Sequence, residues 1–288
     1  MVLRPALRRL LRFLPHFVAL IACVSCQDFW LPARPDQGAL PPDVPGPATV
    51  RLATCWAGLP LTEDLRRALN DLYPDLSLQV IPASSAHARD LLLNGEVDLA
   101  IVARAPDEPA DWGTQIQASH RLATDALAII VHRDLELSQL SREELSALYQ
   151  GYLQWDDLNA GQGWPLCISR EPRSKLRTLF EEAILEEGEI TTAALLLTDD
   201  RAIVDEVARN PQAIGYVPAA LLDSRVKPVA LDHVLPGDDQ VRSGRYPLQY
   251  SLEIALGRRA VPQSARVLRY LLTQPGRALI ARHYPLAR

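Results

Sequence analysis

Three short segments of the chain bring hydroxyls or a guanidinium to places where a strand gives way to a helix. The first is Thr54-Cys55-Trp56-Ala57-Gly58, ahead of a helix opened by Pro60. The second is Ser84-Ser85, ahead of a helix from Ala86. The third is Ser169-Arg170-Glu171-Pro172-Arg173-Ser174, ahead of a helix from Lys175. A helix N-terminus leaves backbone N–H groups unpaired and carries the positive end of the helix dipole. Hydroxyls and an arginine beside such a terminus make an anion site. A guanidinium adds a fork that holds two oxygens of one oxyanion. Taken singly, each segment has a plainer use: Ser85 and Ser174 as helix N-caps, Arg170 as a surface ion-pair partner, Trp56 as packing.

The elements that must position these loops alternate. Apolar runs predict strands over 48–53, 77–81, 98–103, 126–132, 165–169, 213–217 and 248–256. Between them, 3.6-residue periodicity predicts helices over 60–72, 86–93, 141–149, 175–185, 201–208 and 263–272. Ser141 reads as an N-cap with Glu143 and Glu144 behind it, and Asn94-Gly95 as a helix stop. Strand-then-helix alternation argues for an α/β architecture of mostly parallel sheets, which bind ligands at the carboxyl ends of their strands. No internal repeat is evident. The 288 residues suit one domain of two lobes or two small domains, and a hydrophobic fraction of 48% supports a sizeable core.

Charge narrows the partners. The formal net charge is -5, and -9 without the four arginines of the first 12 residues. An acidic body argues against nucleic acid, which needs a basic face, but local donors still hold a small anion inside a net-negative protein. No nucleophile elbow, metal motif or paired-carboxylate constellation marks an enzyme. Asp156-Asp157 and Asp199-Asp200 read as caps of helices or turns. The six histidines are scattered, no Cys-x-x-Cys pair occurs, and neither a metal nor a cofactor is expected.

The first residues read as an address. Arg4, Arg8, Arg9 and Arg12 precede an apolar run, Phe13 to Ala22, that is too short to span a bilayer as a helix. The run ends Leu20-Ile21-Ala22-Cys23, which looks like a bacterial lipobox with Cys23 as the lipidated residue. Residues 1–22 are then a lipoprotein signal peptide. Residues 23–47, with Pro32, Pro35, Pro41, Pro42, Pro45 and Pro47, form an extended tether. Export to the periplasm follows, with the protein lipid-anchored to a membrane. Val24, in place of Asp, leaves outer-membrane sorting open by resemblance to Gram-negative lipoproteins. In an oxidising space Cys55 and Cys167 are free to pair or not, and spacing alone leaves the disulfide open.

Several segments resemble the substrate-binding proteins of phosphate ABC transporters. Ala126-Leu127-Ala128-Ile129-Ile130-Val131 is similar to their hinge-crossing strand, and Gln154-Trp155-Asp156-Asp157-Leu158 to a run ending in Trp-x-Asp-Leu. Ser169-Arg170-Glu171 with Ser174 resembles the family's Arg-x-x-x-Ser-Gly-Thr motif, and Asn210-Pro211-x-Ala213-Ile214-Gly215-Tyr216 its Asn-Pro-Gly-Ala-Ile-Gly-Tyr segment. Asn94-Gly95-Glu96-Val97-Asp98-Leu99-Ala100, Ser243-Gly244-x-Tyr246-Pro247-Leu248 and the stretch Pro275 to Ala281 also fit, so the resemblance spans about residues 48 to 288.

The resemblance implies the two-lobed type II periplasmic-binding-protein fold, with 48–125 and 246–288 as lobe 1 and 126–245 as lobe 2. It implies a monomer that captures phosphate or a related oxyanion between the lobes and hands it to an ABC permease or a membrane sensor. The ligand-binding residues it implies are Thr54, Ser85, Arg104, Arg170, Ser174 and Lys175. The chain departs from the family where Lys175 and Leu176 replace Gly and Thr and where Ala103-Arg104 replaces a polar pair. Without glycine at 175 close backbone approach is harder, and no carboxylate is evident to accept a proton from hydrogen phosphate. Arg104, Arg170, Arg173 and Lys175 crowd positive charge round the cleft, which favours a more highly charged anion or one carried on a larger molecule. The alternative is a degenerate lipoprotein with a scaffolding or sensing role.

Overall fold

The computed structural model describes Leu40, Pro42, Val44 and residues 46–106, Glu108 and residues 112–285. These belong to a unit spanning Pro35–Arg288. The signal peptide, Cys23 and all but the last residues of the tether lie outside the described residues. Among the described residues no helix is long and apolar enough to cross a membrane.

In chain order the elements are β1 (Ala48–Cys55), α1 (Leu59–Leu72), β2 (Leu76–Ala83), α2 (Ser85–Asn94), β3 (Leu99–Arg104), β4 (Ile116–His132), β5 (Gln139–Leu140) and α3 (Arg142–Gln150). Then come β6 (Leu166–Arg170), α4 (Lys175–Phe180), β7 (Leu195–Leu197), α5 (Asp200–Arg209), β8 (Ala213–Pro218), β9 (Val226–Pro228) and β10 (Ala230–Leu231). The last are α6 (Asp238–Arg242), β11 (Gln249–Gly257), α7 (Ser264–Leu272) and α8 (Gln274–Ile280).

The main sheet runs β2-β1-β3-β11-β4-β8-β6-β7, with β9 also on β4. It has two halves of like design. In one, β2, β1 and β3 are parallel and β11 closes them antiparallel. In the other, β7, β6 and β8 are parallel and β4 closes them antiparallel. The strand β4 belongs to both: up to Ala126 it pairs with β11, and from Leu127 it pairs with β8. Each half is a mostly parallel sheet flanked by helices, the α/β architecture expected from the alternation and the two-lobed form that the family resemblance implies.

The apolar signal reads only the second part of β4. Residues 116–125 include Gln117, Ser119, His120, Arg121, Thr124 and Asp125, so no continuous apolar run appears. This stretch pairs on one side only, with β11, and an edge strand tolerates polar residues that a central strand does not. The helix predicted over 175–185 is α4 followed by a π-helical turn, Glu181–Leu185. Ser141 caps α3 with a full capping box, as its spacing from Glu144 requires.

Buried residues explain several of the sequence runs. Asp98 ties β1 to the turn after β11, accepting from Arg51 N at 2.7 Å and from Val261 N at 3.0 Å. Trp155 is fully buried and donates its indole N–H to Gln212 O at 3.3 Å. Gly215 lets α5 lie close on β8, since a Cβ there would sit 2.8 Å from Ile203 Cγ2. Beside it Tyr216 stacks on Phe180 at 4.2 Å between ring centres. Its hydroxyl pairs with Ser169 Oγ at 2.7 Å and accepts from Arg170 N at 3.3 Å. Tyr216 thereby fixes the end of β6, the strand that carries Arg170.

At the point where β4 changes partners lies Asp125. Its carboxyl is buried, accepts the Tyr250 hydroxyl at 2.5 Å and the Ala126 N–H at 2.8 Å, and burial pushes its pKa up to about 7.

Candidate functional site

The carboxyl ends of β1, β2, β3 and β6 converge on one cavity. It is lined by Cys55, Trp56 and Ala57 after β1, Ser84 and Ser85 after β2, Ala103 on β3, and Arg170, Glu171, Ser174, Lys175 and Leu176 at and after β6. Its volume is about 10 Å³, room for about one water. A second cavity of about 220 Å³ adjoins it and shares Ser85, Ala103 and Lys175.

Of the six residues expected to bind ligand, Ser85, Arg170, Ser174 and Lys175 line the inner cavity. Arg104 lines only the outer one, and Thr54 lines neither. The Thr54 side chain is buried and its Oγ1 donates to Cys55 O at 3.1 Å, so the first loop presents Cys55 and Trp56 instead. Alternation along β1 turns Thr54 away and the following residue toward the cavity.

The serines divide their work. Ser84, not Ser85, caps α2, accepting from His87 N at 3.2 Å. Ser85 Oγ accepts from Ala103 N at 3.0 Å, which leaves its O–H as a donor. Ser174 caps α4, accepting from Arg177 N at 3.5 Å. The Cys55 thiol lies beside Ser85, and burial pushes its pKa up to about 11. Cys55 and Cys167 are both free and buried, so the disulfide left open by the sequence does not form. Burial likewise pushes Cys167 up to about 12, so both thiols stay protonated and unreactive.

Arg170 is the centre of the charge arrangement. Only 1% of the residue is exposed. Its Nη1 donates to Asp200, its Nη2 to Thr198 O at 2.8 Å, and its Nε and Nη2 to the two carboxylate oxygens of Glu171 at 3.1 and 3.3 Å. Burial pushes Asp200 up, Arg170 pulls it down, and the balance leaves it near 6, largely ionised at neutral pH. The two carboxylates hold Arg170 above its ordinary value, against the opposite pull of burial. Lys175 Nζ pairs with Glu108 at 2.9 Å, a contact from the start of α4 to the segment after β3.

Two carboxylates thus belong to the site that the sequence reading left out. Glu171 lines the inner cavity, so the absence of a carboxylate inferred from the family pattern is corrected. The pair Asp199-Asp200 splits: Asp199 caps α5 through Arg201 N at 2.8 Å, while Asp200 turns inward to Arg170. Asp156 and Asp157 do hold turns, accepting from Gly163 N at 2.6 Å and Gln154 N at 2.8 Å. The adjacency of Glu171 to Arg170 was the only signal for the first carboxylate. For Asp200 there was none, because 30 residues separate it from its partner.

This fold and strand-end site define a periplasmic-binding-protein domain, and the chain belongs to that superfamily: the PBP superfamily domain matches residues 42–258. Among individual proteins, the phosphate-binding protein PstS of Pseudomonas aeruginosa is 24% identical over 259 residues, covering 80% of this chain and 77% of the relative. PstS of Bacillus subtilis is 24% identical over 179 residues, covering 61% of this chain and 59% of the relative. A structure from Clostridium perfringens, described as a phosphate ABC transporter substrate-binding protein with bound phosphate, superposes with a TM-score of 0.77 at 20% identity. The match covers 84% of this chain and all of that one.

Proposed function

We propose that this protein is an exported solute-binding protein that captures phosphate or a related oxyanion in the cleft between its lobes and delivers it for ABC-type uptake or sensing. The observation that carries the reading is the pairing of Glu171 with Arg170. A carboxylate already sits across the Nε–Nη2 edge of a buried guanidinium, and that edge is the one that grips an oxyanion. Glu171 is 27% exposed and its neighbour Pro172 is exposed. It can therefore swing into water at small cost, while Asp200 stays to hold Arg170 in place. An oxyanion then takes the position of Glu171, with Ser85 O–H, the α4 N-terminus at Ser174 and Lys175 as further donors. The relatives named as phosphate-binding supply the second support. Binding from both lobes favours their closure, the population shift a permease or sensor would read. Lipidation at Cys23 would keep the protein at a periplasmic membrane surface.

Isothermal titration of phosphate-free protein with orthophosphate tests this. Heat of binding is expected, and Arg170→Lys, which keeps the charge and loses the fork, is expected to weaken it at least about tenfold. A protein that binds neither orthophosphate nor sulfate, while folded by circular dichroism, is the scaffold alternative and ends the proposal. Membrane-fraction loss on Cys23→Ala checks the anchor.

A further inference from the structure

The two halves of the sheet meet on β4, which leaves β11 after Ala126 and takes up β8 from Leu127. The chain returns to the first half just ahead of β11. These two passages are stitched side by side. Leu127 N donates to Leu248 O at 2.8 Å, and the Tyr246 hydroxyl donates to Leu127 O at 2.9 Å. Beside the stitch sits the Asp125 carboxyl, with only 1% of the residue exposed. It accepts the Tyr250 hydroxyl from β11, on the first half, and the Ala220 N–H from the turn after β8, on the second. The titratable groups around it are few: Tyr250 on β11, Tyr284 in the C-terminal segment and Asp238 on α6, with Cys55 near the two phenols. Burial first, and then Asp125 itself, holds both phenols well above their ordinary range, so they stay donors. No cation faces the carboxyl among the described residues. Ionised, it is a buried charge without a counter-charge. The same neighbourhood reaches the anion site. Thr124 N donates to Pro285 O at 3.2 Å, and the Tyr284 hydroxyl donates at 2.5 Å to the carbonyl of Ala57, which lines the inner cavity.

We propose that Asp125 is a proton-operated pin between the halves: protonated, it favours the closed arrangement that binds the anion, and ionised, the open one. This goes beyond the oxyanion-binding reading and rests on it for the closing of the halves. The groups that enclose the carboxyl come from both halves, so parting them admits water. Water lowers the cost of the charge, and ionisation therefore favours parting. Anion binding draws on Ser85 from one half and Arg170 from the other, and favours meeting. Proton and anion are then coupled reciprocally, and binding the anion takes up a proton. Burial raises the Asp125 titration to about 7 in the closed arrangement. Affinity is therefore highest at low pH, falls as pH rises toward that value, and levels off above it.

The test is isothermal titration of phosphate-free wild type and Asp125→Asn with orthophosphate, side by side from about pH 4.5 to about pH 8. The titrations of orthophosphate and of Asp200 are common to both proteins and cancel in the ratio of their affinities. That ratio is expected to grow at least about fivefold in favour of Asp125→Asn across the range. Tyr250→Phe removes a hydrogen bond to the ionised carboxylate, so it is expected to move the fall in affinity to higher pH. A ratio that stays constant overturns the inference and leaves oxyanion binding standing. Should Asp125→Asn fail to fold by circular dichroism, Tyr250→Phe decides, and an unmoved pH profile overturns the inference. Small-angle X-ray scattering reads the halves without ligand. The wild-type radius of gyration is expected to grow with pH, and that of Asp125→Asn to keep its low-pH value. If orthophosphate does not bind at all, the oxyanion reading falls, and a wild-type radius unchanged with pH overturns the pin as well.

Discussion

Arg104 and Arg170 stand one in each half of the sheet, Arg104 on the strand beside the antiparallel closing strand and Arg170 on the middle parallel strand. Each ends a parallel strand, β3 or β6, and each reaches a buried acid on another element, Glu253 or Asp200. Each also donates to a backbone carbonyl, of Glu108 or Thr198. The difference is a third partner. Arg170 carries Glu171 on its open edge, and Glu171 reaches water, whereas the Glu253 that holds Arg104 is 5% exposed. A buried arginine is thus not by itself an anion site. On the proposed reading, what makes one is a carboxylate partner that can leave while another stays.

The harshest way to break the comparison is to delete either arginine. Arg170→Ala and Arg104→Ala each strand a buried carboxylate, and each is expected to cost about 3–5 kcal/mol in urea unfolding. Under the proposed function, Arg170→Ala is also expected to abolish anion binding by isothermal titration. If either variant were near wild-type stability, its buried pair would not be the structural anchor described.

A buried acid with no cation beside it among the described residues supplies the contrast. Asp125 holds its proton up to about pH 7 in the folded protein, against an ordinary value of 3.8. Between those values the folded state binds more protons than the unfolded one. Stability therefore falls as pH rises from about 4 to about 7, by a few kcal/mol, and levels off above. Melting temperature against pH should show this slope, and Asp125→Asn should flatten it. An unchanged slope in that variant would assign the titration to another group.

The exchangeable carboxylate gives a smaller effect. Glu171→Gln removes the competitor while Asp200 still holds Arg170, so orthophosphate affinity by titration should rise about tenfold, or about 1.4 kcal/mol. Stability should change by no more than about 1 kcal/mol, since the pair is partly exposed. A fall in affinity would mean that Glu171 accepts a ligand proton rather than yielding to the ligand. The smallest effect is expected at Thr54. Thr54→Val should leave affinity within about twofold, because its hydroxyl serves Cys55 O and not the cavity.

Much of this was legible in the residue order. Periodicity in the amino-acid sequence, with the N-cap at Ser141 and the stop at Asn94-Gly95, predicted most of the strands and helices within a residue or two. It also predicted the α/β class and the three strand-to-helix loops. These are local properties: a helix cap, an apolar run and a strand-end arginine are written within a few neighbouring positions. The tertiary structure alone decided which face each side chain takes and which charges meet. It turned Thr54 from the cavity, sent Arg104 to the outer space, and brought Asp200 and Glu108 to cations far along the chain. It also drew β4 through both halves of the sheet, although its first part shows no strand pattern. Pairing across such separations depends on register and on the close packing of buried elements, and no local sequence pattern encodes it.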